Sequence, residues 1–286
     1  MKIGATTIAL AGWAVDPRQP ASSQRQRLEA IRQIISGYKL NAVELTLDLG
    51  ILFPQVFPPD FYGRVASLQQ ELDFSCSIHL PFTWIDLSSL NETIRLASLQ
   101  TVRSAIELCR PLQVESYVLH LWGGTTHQIA SVLEDPVQQH VLLGALIAQA
   151  GRSLEQVCAW LDPKRLCVET LEAPNFDLAL PLVEKYGVSI CLDVGHLVWQ
   201  RVDEIDFLER NAGRIGEIHL HDARRETVGE WDRIVDHLPL GDGQIDYRTL
   251  LRKLREIEFS GLVILEFNDR AALEKSLARI GLLPGL

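Results

Sequence analysis

Short apolar runs alternate with longer amphipathic segments eight times along this chain, and few folds accept that rhythm. The runs are Ile3–Leu10, Ala42–Leu47, Phe74–His79, Ser116–Leu121, Leu166–Thr170, Ser189–Asp193, Ile215–His221 and Leu262–Phe267. Runs of this length, rich in β-branched residues, suit strands buried on both faces. Between them lie segments with helical spacing: Ser22–Tyr38, about Asp60–Leu72, Asn91–Cys109, Val137–Trp160, Phe176–Tyr186, Val202–Asn211, Tyr247–Glu258 and Arg270–Ile280. Gly50–Pro59, with three prolines, and the polar stretch Asp222–Asp246 read as loops.

Strand followed by helix, repeated eight times, predicts an α/β fold: a (β/α)8 (TIM) barrel forming a single domain over residues 1–286. The chain carries a formal charge of −10, which argues against non-specific binding to a phosphate backbone. Five scattered cysteines, Cys76, Cys109, Cys158, Cys167 and Cys191, read as buried free thiols of a reducing compartment. No run of about 18 apolar residues is present, so no membrane span is expected. A cytoplasmic enzyme with a small-molecule substrate is the expectation. Neither nucleic acid nor membrane is an expected partner, and a homodimer is compatible with the sequence.

The strand ends carry the chemistry. The third ends in His79 and the fourth in His120. The fifth carries Glu169, and the sixth ends on Asp193 with His196 three residues later. The seventh carries His219 and His221, and the eighth Glu266. A parallel barrel gathers the C-terminal ends of its strands at one mouth. There, imidazoles and carboxylates make a divalent-metal site. Each residue alone has a plainer reading: Asp193, for instance, could simply cap a helix. The recurrence over six consecutive strands is what favours metal.

Glu169, Asp193, His219 and Glu266 form the central ligand set, suited to Zn²⁺ or Mn²⁺, with Fe²⁺ and Co²⁺ as alternatives. His79 and His120 could hold a second ion bridged by Glu169. His196 and His237, helped by Asp236 or Asp232, could hold a third. Arg224 and Arg225 are suited to grip a phosphate or carboxylate. Trp84, Trp122, Trp199 and Trp231 could wall a flat or sugar-like ligand. The glycines of Pro239–Asp246 could cradle an anion.

At these residues the chain resembles the xylose isomerase-like barrel superfamily of sugar isomerases, ketose epimerases and endonuclease IV-type nucleases. The matching pieces are Ile-His-Leu-Pro-Phe at His79, Leu-His-Leu-Trp-Gly-Gly at His120, Val-Glu-Thr at Glu169 and Leu-Asp-Val-Gly-His at Asp193. Ile-His-Leu-His-Asp at His219, Asp-His-Leu-Pro-Leu-Gly-Asp-Gly from Asp236, and Leu-Glu-Phe at Glu266 complete the series. In the epimerases the positions of Glu169, Asp193, His219 and Glu266 bind one metal, and the two glutamates exchange a proton with the substrate. The positions of His196 and Arg225 contact substrate. Arg224, Trp122 and His221 join them as expected substrate-binding residues.

The nuclease pattern adds His79, His120, His196 and His237 as further metal ligands. That family's third-metal Asp falls where this chain has Val235. Ser-Ile-His-Leu-Pro, Ser-Tyr-Val-Leu-His-Leu and Ile-Cys-Leu-Asp-Val-Gly-His-Leu also resemble the cobamide-remodelling phosphodiesterases. The first expectation is therefore a metal-dependent hydrolase, phosphodiesterase-like, acting on a phosphate-linked sugar of a small molecule such as the phosphoribosyl linkage of a cobamide. The alternative is a sugar or sugar phosphate isomerase or epimerase using Glu169 and Glu266 as acid and base. A non-catalytic binding barrel is a third reading, with little use for paired carboxylates.

Overall fold

A computed structural model describes residues 1–124, 136–229 and 231–283. In chain order the strands are β1 (Lys2–Thr6), β2 (Ala42–Thr46), β3 (Ser75–His79), β4 (Val114–Leu119), β5 (Leu166–Glu169), β6 (Ser189–Asp193), β7 (Ile215–Leu220), β8 (Asp222–Val228), β9 (Trp231–Leu238) and β10 (Leu262–Leu265). The helices are α1 (Ile8–Ala11), α2 (Pro20–Arg32), α3 (Asp48–Leu52), α4 (Pro59–Leu72), α5 (Glu92–Leu108), α6 (Pro136–Cys158), α7 (Leu180–Tyr186), α8 (Val194–Gln200), α9 (Glu204–Asn211), α10 (Tyr247–Glu256) and α11 (Arg270–Arg279). Eight strands, β1 to β7 and β10, pair in parallel and close into a barrel in the order β1-β10-β7-β6-β5-β4-β3-β2. This is the single-domain TIM barrel that the alternation predicted. No described helix is long and apolar enough to cross a membrane.

Side chains alternate along each strand, so every second residue points into the barrel. One end of the interior is apolar, with Ala42, Leu262 and Ile264 in contact. Val118, Cys167 and Cys191 pack in a second patch. Further along, the inward positions turn polar: Glu44, Ser77, His79, Glu169, Asp193, Glu217 and His219 are all buried. The five cysteines are free thiols, four of them buried. At β1 the inward position is Gly4, because a Cβ there would lie 2.6 Å from Ala42 O on β2.

Several boundaries differ from the sequence reading. The first strand stops at Thr6 and the chain turns into α1, so Ile8 and Leu10 are not strand residues. The proline-containing stretch opens with α3, and the segment at 176–186 is a 3₁₀ turn followed by α7. The larger correction is at Asp222–Asp246, expected as a loop. Most of it is an antiparallel ribbon, β8–β9, inserted between β7 and α10. Its hydropathy hides it, since among the described residues only Ala223 and Ile234 bury apolar side chains well. Register is set by cross-strand pairs. Glu226 faces Arg233 with an ion pair of 2.6 Å, and Thr227 faces Asp232 with a 3.2 Å hydrogen bond.

Candidate metal and acid–base site

His219 on β7 is the centre of the polar layer. It is fully buried, and its Nε2 lies 3.2 Å from Glu44 Oε2. That hydrogen bond places the ring proton on Nε2 and leaves Nδ1 a lone pair. Nδ1 has no hydrogen-bond partner, although three carboxylates surround it. Glu266 Oε2 is 3.1 Å away, Glu169 Oε1 3.4 Å and Asp193 Oδ2 3.9 Å. Ligand atoms of all four residues lie within 4.8 Å of one another. Three anionic groups and a lone pair converging on one buried point leave a cation as the missing partner. The residues fit a divalent metal.

Each ligand is held from behind. Asp193 caps α8, its Oδ1 accepting from His196 N at 2.8 Å, so the plain reading of this residue as a helix cap is also true. His221 Nε2 lies 3.2 Å from both oxygens of Asp193 and fixes the carboxylate's plane. His221 reaches it only because residue 195 is glycine: a Cβ there would overlap the imidazole. Glu169 Oε2 faces away from the four-residue cluster, 3.2 Å from His79 Nε2 and 2.7 Å from His120 Nε2. His79 Nδ1 donates to Leu80 O at 3.0 Å, leaving Nε2 free to face the carboxylate.

The electrostatics carry the same message. Burial alone would raise the pKa of Glu169, Asp193 and Glu266, yet neighbouring imidazoles outweigh it. Glu169 and Asp193 sit well below the usual carboxylate range, and Glu266 falls to about 2. Burial would depress the histidines, but the carboxylates outweigh it. His79 rises to about 10, His196 and His237 to about 9, and His219 well above its ordinary value. The site is a region of strongly negative potential that demands positive charge, whether protons on imidazole or a metal ion.

The cluster opens on a cavity of about 200 Å³ at the C-terminal ends of the strands. Glu169, Glu266, His79, His120, His196 and His237 line it. So do Glu172, Asn268, Thr6, Thr46, Trp13 and Phe82, none of which the sequence reading had placed there. Trp13 Nε1 donates to Asn268 Oδ1 at 3.2 Å, which holds the indole at the rim. Among the described residues no Lys or Arg lines this cavity. A larger open depression, about 690 Å³, lies around Lys2, Asn41, Ser75 and Val114 at the N-terminal ends of strands, the face that stabilises such barrels rather than the one that reacts.

Other expected residues fall elsewhere. Arg225 is tied to Asp232 at 2.9 Å and to the carbonyls of Val198 and Trp199, pinning the ribbon to α8. Arg224 pairs with Glu226 at 2.7 Å and donates to Asp242 O. Neither reaches the cavity wall. Trp122 and His221 are buried and also do not line it, while Trp84 and Trp199 are exposed. The Trp231 side chain lies outside the described residues.

His196 and His237, expected on one ion, enter different clusters. His196 gathers with Glu172 and Asp236, whereas His237 gathers with His221 and Glu266. Asp232, the other candidate helper, is engaged by Arg201 and Arg225. The glycine loop after the ribbon is not open to a foreign anion. Its Gly241 and Ile245 amides donate to buried Asp222, and a Cβ at Gly243 would collide with that carboxylate.

Beneath the site the sequence reading missed a second polar group. Glu44 of β2 and Glu217 of β7 are wholly buried, and Ser77 Oγ lies 3.3 Å from the first and 2.9 Å from the second. Ser116 donates to Glu217 as well. The signal was present: Glu217 stands two residues before His219, hence on the same inward face, and Glu44 sits in an otherwise apolar run.

Comparison with known proteins follows this geometry. An uncharacterized protein of Methanocaldococcus jannaschii is 26% identical over 213 residues, 70% of this chain and 66% of its own length. The inosose dehydratase of Clostridium perfringens is 27% identical over 147 residues, 47% of each chain. The chain therefore spans about half the length of that relative. Among solved structures, a D-tagatose 3-epimerase-like protein superposes with a TM-score of 0.71 at 21% identity, covering 99% of this chain and 97% of that one. The 3-keto-D-glucoside 4-epimerase of E. coli gives 0.70 at 18% identity, covering 99% and 98%.

By name the last three are a dehydratase, an epimerase-like protein and an epimerase, and they overturn the expectation of a phosphodiesterase acting on a phosphate-linked sugar or cobamide. The cavity agrees with that correction only in part: among its described lining residues three carboxylates, Glu169, Glu172 and Glu266, stand beside the histidines, and no Arg or Lys offers a phosphate a bidentate grip. What the sequence resemblance and the strand-end ligands shared is the broader grouping. A model of the xylose isomerase-like TIM barrel matches residues 2–282, nearly the whole chain, and the chain belongs to that family.

Proposed function

We propose that this protein is a divalent-metal-dependent epimerase or isomerase of an uncharged polyhydroxylated ketone, a free sugar rather than a sugar phosphate. The observation that carries this reading is His219 Nδ1, buried and ringed by Glu169, Asp193 and Glu266, beside a cavity with no Lys or Arg among its described lining residues. Those four residues would hold the metal. Three carboxylates and one imidazole form an oxygen-rich donor set, which suits Mn²⁺ ahead of Zn²⁺, with Co²⁺ or Fe²⁺ as substitutes. When bound, the ion supplies polarisation of a carbonyl oxygen, which acidifies the neighbouring C–H.

The chain's own groups do the proton work. Glu169 and Glu266 come from β5 and the end of β10, and both line the cavity. Both are held ionised, so either can take a proton from the carbon beside the carbonyl. For inversion the second carboxyl enters the cycle protonated, having taken a proton from solvent in the cavity. It gives that proton to the opposite face of the enediolate, which inverts that carbon, and the first, now a carboxylic acid, returns its proton to solvent. His120 Nε2, 2.7 Å from Glu169 Oε2, accompanies the charge on Glu169 as it is gained and lost. Trp13 and Phe82 offer apolar faces for the C–H surface of a sugar.

The inosose dehydratase relatives support a second reading, in which the same proton abstraction is followed by loss of a β-hydroxyl as water. One experiment tests both. Metal-loaded protein is incubated in D₂O with a panel of neutral ketohexoses and inososes, and products are analysed by mass spectrometry and NMR. Deuterium at the carbon beside the carbonyl in an isomeric product supports epimerisation, and a product lacking one water supports the dehydratase. Absence of exchange across the panel, with metal bound, would sink both.

A further inference from the structure

Arg27 of α2 is only 5% exposed. Its Nη2 donates to Gly12 O, while Nη1 is buried with no hydrogen-bond partner. Among the described residues no carboxylate forms an ion pair with it. Burial is the sole influence on its acidity and lowers the guanidinium to about 10, still far above neutrality. Arg27 therefore stays cationic. A buried, unpaired cation is costly, and native proteins compensate such charges.

Arg27 lines a small, partly open cavity of about 30 Å³. Phe57, Phe61 and Leu49 make its walls apolar, and Thr7, Thr46 and Tyr62 supply hydroxyl-bearing side chains. Burial raises the Tyr62 phenol well above its ordinary value, so it remains a proton donor. Water could satisfy Nη1 but would leave the positive charge uncompensated. The room is small, which favours a compact anion over a sugar acid.

We infer that the Arg27 cavity is a site for one small monovalent anion, of the chloride class, held by Arg27 Nη1 and the surrounding hydroxyls. Thr46 lines both this cavity and the mouth of the barrel, so the anion sits one residue away from the substrate space. This inference stands apart from the proposed reaction and does not require it.

The test uses the full-length, metal-loaded protein at constant pH and ionic strength. Thermal midpoints are compared in sodium chloride, sodium bromide and sodium gluconate, whose anion is too large for the cavity. The midpoint should rise by about 2–4 °C per tenfold increase in halide once the site is filling, and should not respond to gluconate. Crystals grown in bromide should show an anomalous peak beside Arg27 Nη1. Arg27→Met, which keeps the length and removes the charge, should lose the halide dependence. Equal midpoints in halide and gluconate, or a bromide map without that peak, overturn the inference. So does halide dependence that persists in Arg27→Met. Should Arg27→Met not fold, the wild-type midpoints and the bromide map decide alone.

Discussion

His219 divides the barrel interior into two carboxylate groups of similar chemistry and different access. On its Nδ1 side stand Glu169, Asp193 and Glu266, of which Glu169 and Glu266 line the cavity. On its Nε2 side, Glu44 and Glu217 are sealed from solvent and share Ser77. The upper carboxylates are held ionised by histidines. The lower pair has one imidazole between two acids, and burial followed by the charge of Glu44 pushes Glu217 up to about 8. The comparison teaches that a carboxylate's role here follows from how many cations it meets. Where imidazoles are plentiful the acids stay charged and can serve as ligands and bases. Where they are scarce, one acid keeps its proton and the pair acts as a support.

The sharpest way to break this division is Glu169→Gln. Removing a base from the upper group should lower turnover by about 10²–10⁴-fold while the protein stays folded. Retained turnover would show that the upper group is not the reactive one. Chelation should come next in effect. Stripping divalent metal should abolish deuterium exchange and lower the thermal midpoint, and adding Mn²⁺ back should restore both, read by calorimetry and elemental analysis. An unchanged midpoint would mean the carboxylates need no ion.

Below these stands Glu44→Ala, which frees His219 Nε2. Metal affinity should weaken by about 10–100-fold through loss of orientation, and Glu44→Gln, which can still accept that hydrogen bond, should recover most of it. Affinity unchanged in Glu44→Ala would detach the floor from the site. The smallest effect belongs to Glu217. Its pKa rises from an ordinary 4.5 to about 8 on folding, so between those values the folded state binds more protons than the unfolded one. Stability contributed by this group is complete below about pH 4.5 and declines as pH rises towards 8. Glu217→Gln should flatten that decline in urea midpoints measured at several pH values. A profile as steep as wild type would show that Glu217 is not the protonated partner.

The barrel and the meeting of the upper four residues were legible because each strand writes its own signature. An apolar run buried on both faces, ending on His or acid, states both the strand and the direction of its last side chain. Asp193, Glu169, His219 and Glu266 come together because parallel closure leaves them one place to go. What escaped is what depends on neighbours. The ribbon carries its register in ion pairs such as Glu226–Arg233 rather than in hydropathy. His237 looked like a partner of His196, but the ribbon turns at His237 with φ of +53° and lays its ring on His221, 4.4 Å between centroids and 4° from parallel. Arg224 and Arg225 looked free to grip a ligand, yet each had an acid opposite or nearby that only pairing reveals. The phosphodiesterase expectation failed for the same reason, since it relied on histidines whose groupings the sequence does not contain.

The ribbon carries one more implication. His237 reaches the reactive cavity from an appendage that contributes no strand to the barrel, whereas the four central ligands all stand on, or next to, strands of the closed sheet. On the proposed reading, the reacting groups and a part of the cavity wall are thus written on separable parts. A duplicated copy of this chain could lengthen, shorten or exchange residues 222–238 and acquire a new substrate without disturbing the ligands beneath. The barrel behaves as a socket and the ribbon as an interchangeable fitting.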